Sequence, residues 1–121
     1  MTSDRIGLEE LAARLHDERL TILDVRTEPE YSGAAGYPCD PQQGHIPGAR
    51  NIDVAEIVER RPDELREALG LAEGAEIAVY CHSGSRSAMA AAALRAAGYD
   101  ARNYEGSWHE WSRHDDVLAD A

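Results

Sequence analysis

Ile77-Ala78-Val79-Tyr80-Cys81-His82-Ser83-Gly84-Ser85-Arg86-Ser87-Ala88-Met89-Ala90-Ala91-Ala92-Ala93-Leu94 is the stretch from which the rest of the chain is read. The apolar run Ile77 to Tyr80 has strand character and stops at Cys81. A short polar turn follows, and an alanine-rich helix begins at about Ser87 and runs to Ala97, with Gly98 suited to the position just past its end. A helix start presents unpaired backbone N–H groups and a partial positive charge. A sulfur held there is favoured as thiolate, and an anion beside it is favoured as ligand. Cys81 is therefore a candidate nucleophile.

Working outward, the same alternation of strand and helix recurs. Leu8, Leu11, Ala12 and Leu15 repeat at helical spacing, which predicts a helix from Gly7 to about Asp17 after a short extended piece at Arg5-Ile6. Leu20 to Val25 reads as a strand and Glu28 to Ser32 as a helical turn. Ser32 to Gln43 is rich in glycine, proline and small residues and reads as loop. Gly44 to Ala49 predicts a tight turn into an extended Arg50 to Ile52. Val54, Ile57 and Val58 fit a helix that stops near Arg61. Pro62, with Asp63 and Glu64 in the first turn, opens another that reaches Leu69 and ends at Gly70. Glu76 to Tyr80 is the strand that delivers Cys81, and Ala101 to Tyr104 is the next one. This order predicts an α/β fold with a central parallel sheet and helices on both faces. In such sheets ligands bind beyond the carboxyl ends of the strands, where Cys81 falls.

The 121 residues suit one domain, 1–121, which can bury roughly two-thirds of the surface its unfolded chain exposes. Two cysteines do not make a disulfide scaffold, and they fit a reducing, cytoplasmic setting. No apolar run is long enough to span a bilayer, and the N-terminus lacks a signal-peptide core, so no membrane is expected. The net charge of −11, from 23 acidic and 12 basic residues, repels a polyanion and argues against nucleic acid. A small anion can still be held by local dipoles and Arg86, because a pocket's potential is set mainly by groups within about a Debye length. All the basic residues are arginine, which excludes lysine Schiff-base chemistry.

Four separated pieces give the chain a family resemblance. Leu23-Asp24-Val25-Arg26 with Glu30-Tyr31, Gly44-His45-Ile46-Pro47-Gly48-Ala49 with Asn51-Ile52, the Cys81 loop, and Glu105-Gly106-Ser107-Trp108-His109-Glu110-Trp111 occur in the order of the rhodanese-like sulfurtransferases. The last piece, and the long Ser32 to Gln43 connection, are similar to the catalytic domain of thiosulfate and mercaptopyruvate sulfurtransferases, here standing alone. The resemblance implies a rhodanese-like fold and a persulfide carried on Cys81. It also implies a small anionic sulfur donor, thiosulfate above all, a thiol or cyanide as acceptor, and no metal or organic cofactor.

Within the loop, Gly84 allows the chain to curl, Ser83 and Ser85 are small donors, and successive N–H groups can converge on sulfur as a nest. Cys81 is the expected catalytic residue, and His82, Ser83, Gly84, Ser85, Arg86 and Ser87 are the expected substrate-binding residues. Arg86 would grip a sulfonate or carboxylate at the pocket mouth. His82 stands where many family members carry arginine. It is expected to be exposed and to attract anions only when protonated. Cys81 and Arg86 are separated by four residues. Related cysteine phosphatases have one more, so the shorter loop favours a single sulfur atom over a phosphoryl group.

Outside the loop, Arg26 and Glu30 are expected to form a structural ion pair, and His45 to serve a turn. Ser107 is expected to cap a short helix whose Trp108 and Trp111 pack in the core. Cys39, in the long loop, is either an incidental thiol or a resolving partner for Cys81. The rival readings are a non-enzymatic rhodanese-like binding or regulatory module and a cysteine phosphatase or arsenate reductase. The sequence assigns neither a physiological donor and acceptor nor an oligomeric state.

Overall fold

Why Cys81 ends where it does follows from the sheet that carries it. The computed structural model describes residues 4–114. The elements run α1 (Leu8–Ala13), β1 (Leu20–Asp24), α2 (Glu28–Ser32), β2 (Arg50–Asn51), α3 (Val54–Glu59) and α4 (Pro62–Leu69). They continue with β3 (Glu76–Tyr80), α5 (Ser85–Ala96), β4 (Asp100–Asn103) and α6 (Ser107–Trp111). The four strands form one parallel sheet in the order β2-β1-β3-β4. Arg5 extends it by a single parallel bridge to Asn103, which accounts for the short extended piece read at Arg5-Ile6.

Alternation along the strands sorts side chains onto two faces. Leu23, Val25, Ile77, Val79, Cys81 and Ala101 meet Ile57, Leu65, Leu69, Ala90, Ala91 and Leu94 of α3, α4 and α5. Ile22, Ala78 and Tyr80 meet Leu11, Ile46, Tyr104, Trp108 and Trp111 on the other face. Both faces are thus covered, as expected of a parallel sheet, and Cys81 leaves the sheet on the α5 side. Alanine at 90 and 91 lets α5 lie close to β3, which brings its first turn near the sulfur.

Local chemistry sets most helix ends. Thr27 caps α2: its hydroxyl accepts from Glu30 N and its own N donates to the Glu30 carboxylate at 3.2 Å. Pro62 opens α4 and Gly70 closes it in a left-handed conformation, φ 67°. Strands β1, β2 and β4 differ from expectation by one residue at an end, and two helix boundaries differ by more. Helix α1 stops at Ala13, after which Arg14 bonds Asp17 and Glu76 and the chain turns toward β1. Helix α5 starts at Ser85 because Gly84, at φ 98°, makes the turn itself, so Arg86 and Ser87 belong to the first helical turn. No described helix is long and apolar enough to cross a membrane.

Candidate functional site at the Cys81 loop

Donors converge on the Cys81 sulfur from the turn that follows it. Gly84 N donates to Sγ at 3.1 Å, and the Ser87 hydroxyl lies 3.4 Å from it. Burial alone would raise the thiol pKa. The Ser87 hydroxyl and the backbone N–H groups of Ser87, Gly84 and Ser83 outweigh that penalty and hold it below the ordinary 9.0. Ser87 has a second acceptor, Gly84 O, at 3.2 Å. One hydroxyl proton cannot serve both. A neutral thiol can donate to Ser87 while Ser87 donates to Gly84 O, whereas a thiolate draws the Ser87 proton to itself.

The loop is clamped from below by α6 and β4. Ser107 Oγ accepts from Cys81 N at 3.1 Å and donates to Tyr104 O at 2.9 Å. Trp108 N and His109 N donate to Cys81 O and His82 O, each at 3.0 Å. Asn103 Nδ2 donates to Gly84 O at 3.2 Å. Ser107 is therefore the first residue of α6 and not its cap; Gly106 precedes the helix, and Ser107 takes φ 54°. Its hydroxyl holds the end of β3 instead. The sequence marked Ser107 through the fourth family motif but gave no sign of this partner.

Side-chain pairs surround the mouth, and here the expected partners change. Arg26 does not pair with Glu30. Both its side chain and that of Asp24 are buried, with Nη2 to Oδ2 at 2.7 Å, and the guanidinium lies over the Trp108 and Tyr80 rings. Asp24 is two residues away at the same strand end and fully buried, so it neutralises Arg26 inside the core. Glu30 instead binds Arg86 through two bonds, 2.9 and 3.2 Å. Desolvation would raise the Glu30 pKa, but Arg86 and the Thr27 N–H prevail and bring it from 4.5 to about 2. Arg86, in the first turn of α5, is thus already paired with an anion.

His82 is buried, which corrects the expectation of an exposed ring. Its Nε2 lies 2.9 Å from Asp40 Oδ2, and its ring stacks on Tyr37 at 3.7 Å between centroids. Asp40 Oδ1 accepts from Arg113 at 2.8 Å, and Arg113 also reaches Cys39 O. The 32–43 segment is therefore fastened to the Cys81 loop through His82, a role for Asp40 and Tyr37 that the sequence did not signal. Ser83 and Ser85 are exposed at the rim. Cys39 is an exposed free thiol and Cys81 a buried one. His45 bonds Tyr31 O and stacks on the Tyr31 ring, and Trp108 and Trp111 are buried, matching the structural roles expected of all three.

Comparison with known proteins gives consistent results. The family described as Rhodanese-like domain matches residues 7–114. The sulfur carrier protein TtuD of Thermus thermophilus is 39% identical over 74% of this chain and 37% of its own length. The crystal structure of a probable thiosulfate sulfurtransferase superposes with TM-score 0.79 at 43% identity, covering 90% of this chain and 44% of that one. The human single domain sulfurtransferase TSTD1 gives TM-score 0.65 at 30% identity, covering 91% and 96%. The chain spans between 35% and 43% of the length of the curated relatives it matches.

Proposed function

Because this chain belongs to the rhodanese-like domain family, whose relatives are named for sulfur transfer and sulfur carriage, we propose that it moves sulfane sulfur through a persulfide on Cys81. The convergence of N–H and O–H donors on Cys81 Sγ carries the reading. In the first step the thiolate attacks the outer sulfur of thiosulfate. A new S–S bond forms, the S–S bond of the donor breaks, and sulfite leaves with the electron pair. The persulfide's negative outer sulfur is held by the same donors. An acceptor thiolate or cyanide then attacks that outer sulfur, and the Cys81 thiolate is released.

The roles divide by position. Cys81 is the proposed catalytic residue. Ser83, Gly84 and Ser87 supply stabilising N–H groups, and Ser85 and Arg86 form the donor-facing rim. His82 contributes through the loop it anchors. Glu30 uses two of the five guanidinium N–H donors of Arg86, so the others can meet a sulfonate while the net charge at the mouth stays low. We take residues 1–121 to form one such domain, acting in a reducing compartment where its thiols stay free.

The rival phosphatase reading is disfavoured because only four residues separate Cys81 from Arg86, one fewer than in the related cysteine phosphatases, so the loop suits a single sulfur atom better than a phosphoryl group. The deciding experiment is mass spectrometry of the protein after thiosulfate treatment. A gain of one sulfur on the Cys81 peptide, discharged by cyanide, is expected. Robust hydrolysis of aryl phosphates with no persulfide on Cys81 would overturn the proposal.

A further inference from the structure

Asp40, His82 and His109 come from three different parts of the chain, yet their ligand atoms all lie within 4.8 Å of one another. Two imidazoles and a carboxylate make a set that suits a borderline divalent cation such as Zn2+. Asp40 and His82 are buried, whereas the His109 side chain is half exposed. A closed hydrogen-bonded pair thus meets a third ligand that can swing in, with a remaining position open to water.

We propose that Asp40, His82 and His109 form a divalent-cation site beside the Cys81 loop, with Zn2+ the best-fitting ion. Ligand atoms at about 2.0–2.2 Å from a tetrahedral zinc lie roughly 3.3–3.5 Å from one another. Asp40 Oδ2 and His82 Nε2 start at 2.9 Å and must open by a few tenths of an ångström. The His109 ring nitrogen, within 4.8 Å of the other two ligand atoms, must move closer. Its exposure permits that rotation, while the His109 N bond to His82 O fixes its backbone beside the site. Tyr37, stacked on His82 with the planes 7° apart, sets the ring plane and hence the direction of Nε2.

Arg113 decides which carboxylate oxygen is used and how tightly the ion is held. It bonds Asp40 Oδ1 at 2.8 Å, leaving Oδ2 to the metal, in the way that bound carboxylates are oriented by a second hydrogen bond. Its positive charge opposes the cation, so a dissociation constant on the order of micromolar is expected and not the far tighter binding of a closed structural site. Occupancy would tie the 32–43 segment, the residue after Cys81 and α6 to a single ion.

The test is calorimetric titration of the tag-free full chain with ZnCl2. One equivalent should bind. His109→Ala should weaken binding at least tenfold, as should Asp40→Asn, while His16→Ala, which alters a distant exposed histidine, should not. The Cys39→Ser/Cys81→Ser double variant should bind as the native chain does, which separates this site from any thiolate and from the fate of the sulfur-transfer proposal. In NMR spectra the imidazole signals of His82 and His109 should shift with added zinc, and those of His16, His45 and His114 should not. Absence of binding would overturn the proposal. So would affinity unchanged in His109→Ala, or loss of binding in the double variant.

Discussion

The floor and the rim of the site are built by different rules. The floor consists of backbone N–H groups within six residues of Cys81, closed by the Ser87 hydroxyl and seated on Ser107. The rim consists of charged and aromatic pairs that span long stretches of chain: Glu30 with Arg86, Asp40 with His82 and Arg113, Tyr37 over His82. Backbone donors cannot be exchanged one residue at a time and do not titrate. Side-chain pairs can be exchanged, and their charges respond to partners. Sulfur stabilisation should therefore tolerate almost no change, whereas donor preference should be adjustable.

The sharpest break in that comparison is at the sulfur. Cys81→Ser is expected to lower transfer by at least about a thousandfold with the fold intact. Cys39→Ser should leave turnover within about twofold, since its exposed thiol is not among the sulfur's donors. Steady-state assay of both decides. A large loss in Cys39→Ser would make the 32–43 segment part of the floor.

Gly84→Ala tests the floor without touching the sulfur. A Cβ there would come 2.7 Å from Glu105 O at a backbone φ of 98°. Strain and overlap together should cost about 3 kcal/mol in denaturant unfolding and displace the N–H that meets Sγ. Transfer should fall along with stability. Native-like stability would show the turn to be less constrained than its geometry implies.

Ser87→Ala measures one donor of the floor. In the Cys39→Ser background, thiolate absorbance should titrate below 9.0, and Ser87→Ala should move the midpoint upward, because a donor to the thiolate is lost. The linked stability has a definite sign. A thiol pKa lowered by folding contributes stability above 9.0 that is lost as pH falls through the native value. An unmoved midpoint would assign the lowering to the backbone alone.

The smallest effect belongs to the rim. Glu30→Gln keeps an acceptor for Arg86 but removes the charge that offsets it, so KM for thiosulfate should fall a few-fold with kcat little changed. The same pair contributes stability above pH 4.5, lost as pH falls toward about 2, and Glu30→Gln should flatten that segment of the acid-unfolding curve. A rise in KM would mean that Glu30 serves to aim Arg86, and that the rim is as unforgiving as the floor.

Local chemistry was readable along the chain. The spans Glu28–Ser32, Pro62–Leu69 and Glu76–Tyr80 coincide with the expected elements, because capping residues, Pro62, Gly70 and the strand's apolar run act on their own neighbours. The alternation of strands and helices gave the parallel α/β fold and the four motifs the family, and Cys81 sits at the strand-to-helix junction where its flanking residues place it. The choice of side-chain partners was not readable. Arg26 took Asp24 rather than Glu30, Glu30 took Arg86 across 56 positions, and His82 turned inward to Asp40 across 42. An ion pair depends on distance and water exclusion after the strands have crossed over, and sequence separation says little about either. Neighbouring residues along the chain suffice to set the strands, the cysteine at the end of β3 and the backbone donors that follow it. Tertiary structure decided which charges face one another at the rim, because only packing of the 32–43 segment and α6 against the Cys81 loop brings those groups within bonding distance.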